Sequence, residues 1–404
     1  MVAGAISLKK VPIPVLLADD SIVFRRFLRD TLADTDSIAI GGEAKNGIEA
    51  LDLVLKVRPR VILMDMEMPL MDGMTALQHL MIHCPTPTIM FSSLTSEGTF
   101  RAFDALKNGA VDFLSKDLLF DGNRQDVFRN MFIRKILSAA QMTVHSIEPV
   151  FDMTREQEKR QEPASRVVFC EDCGARNIIV DSPDGQLPRC RQCGDVLEQY
   201  HVQRRRRNAL VTILAGGEGC FRSLLNIIPK LDCDLGGAVL IMIRAEASHI
   251  DTFAEYLDSI SPMKVLRARE GMSLEGGFCY VAGTGDQITL QQFSAQQTLV
   301  KEKNLENGLG PTDLLMRSVA SVFKNQCAGI LLSSGTTDGI KGMAAIRENG
   351  GESMVLSPAE CLISGLARMA IETFRGVVTA KDDGDLAGKI TNLYSQARSS
   401  GTKV

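Results

Sequence analysis

No stretch of this 404-residue chain reaches the roughly 18 consecutive apolar residues that a membrane-spanning helix needs, which speaks against membrane insertion. Met1 to Lys10 lack the long apolar core of a secretory signal, so the expected location is the cytoplasm. An excess of one charge is missing too. The 45 basic and 49 acidic residues leave a formal charge of −4, which gives nucleic acid or an anionic membrane no electrostatic reason to be the main partner. A disulfide framework is also absent: of ten cysteines, four form two close pairs and the other six are scattered among apolar residues, a pattern of reduced thiols. The last absence is a single side chain. Leu210-Val211-Thr212-Ile213-Leu214-Ala215-Gly216-Gly217-Glu218-Gly219 reads as an apolar strand entering a glycine-rich turn before a helix, the setting in which hydrolases mount a serine nucleophile, and it contains no serine.

What is present points to two or three ordinary globular domains, with 45% hydrophobic and 23% charged residues. Residues 13–117 alternate apolar, β-branched runs (Val15–Ala18, Ile38–Gly41, Val61–Met64, Thr88–Phe91 and Val111–Leu114) with helical patterns, which predicts a doubly wound parallel sheet. In such a sheet the carboxyl ends of strands converge on one crevice. Asp19 and Asp20 end the first strand, Asp65 the third and Ser92 the fourth, and Lys116 follows the fifth. Three carboxylates at one edge repel one another and call for a hard cation with oxygen ligands, Mg²⁺ first. A hydroxyl and an ammonium suit the oxygens of a phosphoryl group transferred to a carboxylate, roles for Ser92 and Lys116. The plain alternative is a flavodoxin-like sheet with acidic loop ends and no phosphorylation.

A helical pattern at Val127–Leu137 closes this block, and Thr154–Pro163 is polar throughout, as a linker is. Cys170-x-x-Cys173-Gly174 and Cys190-x-x-Cys193-Gly194 follow, with sixteen residues between the inner cysteines. Two thiolate pairs on glycine-ended turns supply the four ligands of a tetrahedral zinc site, and the pattern resembles a zinc ribbon. Iron fits four sulfurs as well, and two redox pairs are the other alternative, although no thioredoxin-like βαβ pattern surrounds either pair. About 35 residues build little core, so the metal would fold the module. Arg204–Arg207 comes next. A basic run beside a ribbon can contact nucleic acid, but one short cluster in an acidic chain reads first as a solvated or acid-paired linker.

Leu17-Ala18-Asp19-Asp20-Ser21, Met64-Asp65-Met66-Glu67-Met68-Pro69-Leu70-Met71-Asp72-Gly73 and Phe113-Leu114-Ser115-Lys116 resemble the receiver domain of two-component response regulators. The resemblance implies that Asp65 accepts phosphate from a histidine kinase. It also implies that Asp19, Asp20 and Asp65 hold Mg²⁺ with the carbonyl of Glu67, and that Phe113 is the aromatic switch. Phe91-Ser92-Ser93-Leu94-Thr95 with a longer loop to Gly98 is closer to methylesterase receivers than to generic ones.

Residues 209–398 resemble the catalytic domain of the chemotaxis protein-glutamate methylesterases, the CheB family. The family's elbow is G-A-S-T-G-G, and Gly216 stands at the serine. Its histidine lies in Q-H-M-P, and Ile243-Arg244-Ala245-Glu246 puts Arg244 there. Its acid lies in G-x-x-L-T-G-M-G-N-D-G, matched by Gly329–Gly339 with Asp338 as the aspartate. Phe253-Ala254-Glu255-Tyr256-Leu257 fits F-A-E-R-L, Tyr280–Gly283 fits Y-I-A-P, and Glu360-Cys361 with Gly365 and Arg368 fits E-S-C-x-x-x-G-M-P-R. The expected architecture is α/β throughout: a flavodoxin-like receiver (13–140), a linker (141–165), a zinc ribbon (166–200), a basic linker (201–208) and a doubly wound methylesterase-like domain (209–398).

In a serine hydrolase the hydroxyl attacks, the imidazole takes its proton and the carboxylate orients the imidazole. Glycine has no nucleophile, and a guanidinium with a pKa above about 12 is no base near neutrality. Losing either member costs on the order of 10⁶ in turnover. Two expectations follow. Asp338 and Arg244 would form a buried charge pair, so that Arg244→Ala destabilises the domain without touching activity. Alternatively a relocated set of Cys220, His249 and Asp338 would do the chemistry, although Cys220 lies a helical turn, about 6 Å, beyond the elbow. The reading is a response regulator phosphorylated on Asp65 whose effector acts by binding. Its partners would be a histidine kinase and methyl-accepting chemoreceptors or other chemotaxis proteins. The rival is a working protein-glutamate methylesterase and glutamine deamidase.

Overall fold

The computed structural model describes residues 11–33, 35–92, 96–116, 125–146, 165–169, 176–180, 192, 210–232, 235–245, 247–293, 296–302 and 308–401. Contacts divide the chain into a larger unit, residues 1–147 with 206–404, and a smaller one, residues 148–205.

The larger unit begins with β1 (Ile13–Ala18), β2 (Ile38–Ala44), β3 (Val61–Asp65), β4 (Thr88–Ser92) and β5 (Asp112–Ser115) in a parallel sheet of order β2-β1-β3-β4-β5. Helices α1 (Ile22–Ala33), α2 (Gly47–Val57), α3 (Gly73–His83), α4 (Ser96–Lys107) and α5 (Gln125–Ala139) wind between and after them. The inner strands are buried on both faces, which is why they read as unbroken Val, Ile, Leu and Met runs. Asp72 starts α3 by accepting the Thr75 N–H at 2.7 Å. The next residue must be glycine, because a Cβ on Gly73 would overlap the carbonyl oxygen of Asp65. The loop after Asp65 is thereby pressed against its own strand.

The smaller unit contains β6 (Ser165–Phe169) and β7 (Arg176–Val180), paired antiparallel from Ser165↔Val180 to Phe169↔Arg176. Cys170, Cys173, Cys190 and Cys193, and the basic run Arg204–Arg207, lie outside the described residues.

The second part of the larger unit comprises β8 (Val211–Gly216), α6 (Cys220–Ile227), β9 (Ala238–Ile243), α7 (Ala247–Ile260), β10 (Lys264–Arg267) and β11 (Phe278–Gly283). It continues with the hairpin β12 (Ile288–Phe293) and β13 (Gln296–Lys301), then α8 (Pro311–Phe323), β14 (Cys327–Leu331) and α9 (Ile340–Glu348). It ends with β15 (Glu352–Leu356), α10 (Gly365–Thr373), β16 (Val378–Ala380) and α11 (Asp383–Gly401). Seven parallel strands run in the order β10-β11-β9-β8-β14-β15-β16. From β8 the chain winds to one side, then returns to place β14 on the other, so the topological switch point lies between the ends of β8 and β14. That is where open α/β sheets form their crevice.

The two sheets of this unit meet through helices. Phe103 of α4 and Phe113 of β5 pack against Phe221 of α6, with ring centroids 5.5 and 6.2 Å away, and Phe103 also meets Phe253 of α7 at 5.2 Å. Tyr256 of α7 donates to Asp104 Oδ1 of α4. Leu362 and Ile363, between β15 and α10, join the cluster that holds Phe132 and Ile136 of α5. Among the described residues no helix is long and apolar enough to cross a membrane.

Candidate functional site

The ends of β1 and β3 are neighbours, Ala18 beside Met64, and this register brings Asp19 next to Asp65. Carboxylate oxygens of Asp19, Asp20 and Asp65 lie within 4.8 Å of one another. Asp19 and Asp65 are buried and Asp20 is exposed. Lys116 Nζ bridges the buried pair, 2.8 Å from Asp19 Oδ2 and 2.7 Å from Asp65 Oδ2. Its backbone N–H donates to the Ser92 carbonyl at 3.0 Å, so the ends of β4 and β5 are fixed together, with the Ser92 side chain buried. Burial pushes the Asp65 carboxyl up from 3.8 to about 6, and Asp19 adds to the effect, while Lys116 acts against both. Burial works to lower the Lys116 ammonium, but Asp19 and Asp65 outweigh it and hold its pKa above the ordinary lysine value.

The donor set fits Mg²⁺, since all three groups offer hard oxygen and carry excess negative charge. Asp19 Oδ2 is buried and meets the Lys116 ammonium, and a carboxylate oxygen with one such neighbour keeps a second lone pair for a cation. Arg25, not foreseen from the sequence, donates to the carbonyls of Asp19 and Asp20 at 2.6 and 3.2 Å and fixes the acidic loop from behind. The Glu67 side chain is exposed and pairs with Arg101 at 2.8 Å. Phe113 is not free on the surface: besides Phe103 and Phe221 it meets the ring of His249 at 5.9 Å. His249 is therefore half-buried against the first sheet.

In the second crevice the turn after β8 is occupied. A Cβ on Gly216 would lie 2.5 Å from the Cβ of Cys220 and 3.1 Å from its sulfur. Cys220 fills the space a side chain at Gly216 would need. Gly219 adopts φ +80, and a Cβ there would meet Leu362 at 2.5 Å. Glu218 accepts from the Gly335 N–H at 3.3 Å and pairs with Arg134 of α5 at 3.4 Å. Burial works to raise its pKa, but its own N–H, the Gly335 N–H and Arg134 hold the carboxyl below the usual range. A fixed negative charge therefore sits among the backbone donors of this turn, where an oxyanion would be repelled.

The expected Asp338–Arg244 pair does not form. Arg244 is exposed, and the Asp338 oxygens accept from the N–H groups of Thr312 and Asp313 at 3.1 and 3.0 Å, capping α8. Asp313 returns the arrangement, its Oδ1 accepting from Gly339 and Gly342 at 2.9 and 2.7 Å at the start of α9. Orphan N–H groups at the start of α8 hold the Asp338 carboxylate in place of a guanidinium. The relocated set is not assembled either. Cys220 is fully buried, and burial, reinforced by Asp112 and Glu218, pushes its thiol far above the ordinary range, so it is no thiolate near neutrality.

A five-stranded receiver sheet with an acidic cluster at its carboxyl edge, joined to a doubly wound α/β effector, defines a response regulator. The family model of the CheB methylesterase matches residues 181–385, and that of the response regulator receiver domain matches residues 15–124. A protein-glutamate methylesterase/protein-glutamine glutaminase of Pyrococcus horikoshii is 30% identical over 364 residues, covering 89% of this chain and 88% of that protein. A protein of the same name from Caldanaerobacter subterraneus subsp. tengcongensis is 28% identical over 96% of this chain and 99% of its own length. Of solved structures, the response regulator domain of Thermotoga maritima CheB is 37% identical, covering 33% of this chain and 98% of that one at a TM-score of 0.30. The chain belongs to the CheB methylesterase family.

Proposed function

We propose that this protein is a chemotaxis response regulator of the cytoplasm, phosphorylated on Asp65, whose effector domain binds its partner without hydrolysing it. The observation that carries the non-catalytic reading is the turn at Gly216: it offers no hydroxyl, and Cys220 occupies the room one would need. An exposed Arg244 at the base position and a fixed Glu218 carboxylate support it.

On the receiver side, Asp65 is the nucleophile toward a phosphoryl group supplied by a histidine kinase, and Lys116 and Ser92 hold the transferred oxygens. Mg²⁺, held by Asp19, Asp20, Asp65 and the Glu67 carbonyl, would neutralise charge on those oxygens. Near neutrality a carboxyl titrating at about 6 is mostly ionised, as a nucleophile must be. Phe113 touches Phe221 and His249 directly, so a rearrangement at Lys116, three residues on, would reach the effector through one ring. Partners would be chemotaxis components, chemoreceptors first. The four ribbon cysteines would hold one zinc ion; atomic absorption should find one equivalent, lost on Cys173→Ser.

The names of the relatives favour a second reading, a working protein-glutamate methylesterase and glutaminase. Methanol release from a carboxymethylated chemoreceptor, with and without a small phosphodonor, separates the two. Release at background in both states is expected. Sustained turnover that requires phosphorylation would establish the second reading.

A further inference from the structure

A cavity of about 630 Å³ opens between α5 of the receiver and the 357–368 segment of the effector, within the usual range of roughly 300–1,000 Å³ for small-molecule sites. Arg134 and Ser138 line it from α5, Ser357 and Arg368 from the other segment, and Met142 and Leu362 are among its apolar lining groups. Among the described residues no aspartate or glutamate lines it. The carboxylate of the same segment, Glu360, is in the field of Arg222, and Arg368 forms no ion pair among the described residues. Arg134 is half-exposed and its pair with Glu218 is long, at 3.4 Å, so its guanidinium has donors to spare.

Two guanidinium groups and two serine hydroxyls lining one cavity suit a dianionic phosphate, because planar donors can bind it bidentately. The apolar groups and the volume exceed what a bare phosphate fills. We propose that this cavity binds a small phosphate ester of nucleotide size, its phosphate between Arg134 and Arg368 and its body against Met142 and Leu362. A ligand held by one arginine from each domain cross-links receiver and effector, so it adds a chemical input to the docked state besides phosphorylation. The site is independent of whether the effector hydrolyses anything.

Calorimetric titration of the full chain in chelator, with AMP, adenosine and inorganic phosphate as probes, tests this. The expected result is saturable AMP binding, no adenosine binding, and at least tenfold weaker AMP binding in each of Arg134→Ala and Arg368→Ala. Both residues lie at the surface, and a melting temperature near that of the wild type checks folding. Inorganic phosphate binding as tightly as AMP would assign the site to the free ion and overturn the ester. No AMP binding, equal adenosine binding, or loss in only one of the two variants would overturn the composite site.

Discussion

At Gly216 the question is whether a serine could simply be put back. The Cβ of a new side chain would sit 2.5 Å from that of Cys220, a separation real side chains do not show. Overpacking of this kind costs about 1–3 kcal/mol. Gly216→Ser should lower stability by that amount in urea titration, and in a Cys220→Gly background, where the clashing Cβ is gone, the same substitution should cost little further. Neither variant should release methanol, since Arg244 supplies no base; a single variant as stable as wild type would mean that Cys220 does not fill the site. Asp65 gives a second prediction at this scale. Its folded pKa of about 6 lies above its ordinary 3.8, so between those values the folded state binds the extra proton. The contribution is present below about pH 4 and lost as pH rises through 6. Two pKa units correspond to roughly 3 kcal/mol at most. In chelator, Asp65→Asn should therefore gain stability over wild type above pH 6 and lose the advantage near pH 4. Unfolding free energies that differ equally at both pH values would overturn the burial argument.

At the scale of elements, Asp338 and Asp313 tie the starts of α8 and α9 together. Losing the Asp338 cap should cost about 1–2 kcal/mol. Asp313→Ala should cost more, about 2–3 kcal/mol, because it leaves the Gly339 and Gly342 donors without their acceptor in a buried setting. Denaturant midpoints of the two alanine variants would reverse in order if the pairing were incidental. The hydrogen bonds that Asp338 makes to the start of α8 are those of a helix cap. This function was not legible in the sequence. The motif around Asp338 could be matched, but its hydrogen bonds run to residues 25 and 26 positions away, brought close at Gly310, where a Cβ would collide with the carboxylate. The receiver was more open to reading. Val61–Met64 and Thr88–Phe91 are unbroken apolar runs because parallel strands are covered on both faces, and the polar residues that end them mark the crevice without any tertiary knowledge. The elbow lay between these cases. Its missing serine could be seen, but the sulfur filling the gap could not, since that depends on how tightly α6 follows β8. Tyr256, in the place of the arginine of F-A-E-R-L, was a visible departure whose reason, the bond to Asp104, came only from the docked receiver.

For the whole molecule, the decisive element is the aromatic cluster that joins receiver to effector. Phe221 is nearly buried and touches Phe103 and Phe113 on one side and Phe253, at 4.8 Å, on the other, so it is shared between two domains that could each keep a core without it. Replacing a buried phenylalanine by alanine costs about 3–5 kcal/mol. If that cost falls on the interface, Phe221→Ala should separate one cooperative thermal transition into two, and faster amide exchange should appear in α4 and α7 while β1–β5 stay protected. Phe323→Ala serves as the comparison, because that ring belongs to the far core of the effector with Leu315 and Val319. It should lower the effector's melting temperature without loosening α4. A small phosphodonor acting on wild type should reproduce the exchange pattern of Phe221→Ala in weaker form, because Phe113 links the Lys116 end of β5 to the same ring. A Phe221→Ala protein that still melts in one transition, with α4 and α7 as protected as in wild type, would show that the polar contacts Arg134–Glu218 and Asp104–Tyr256 are enough to hold the domains together. The route from Asp65 to the effector would then have to run through α5, not through Phe113.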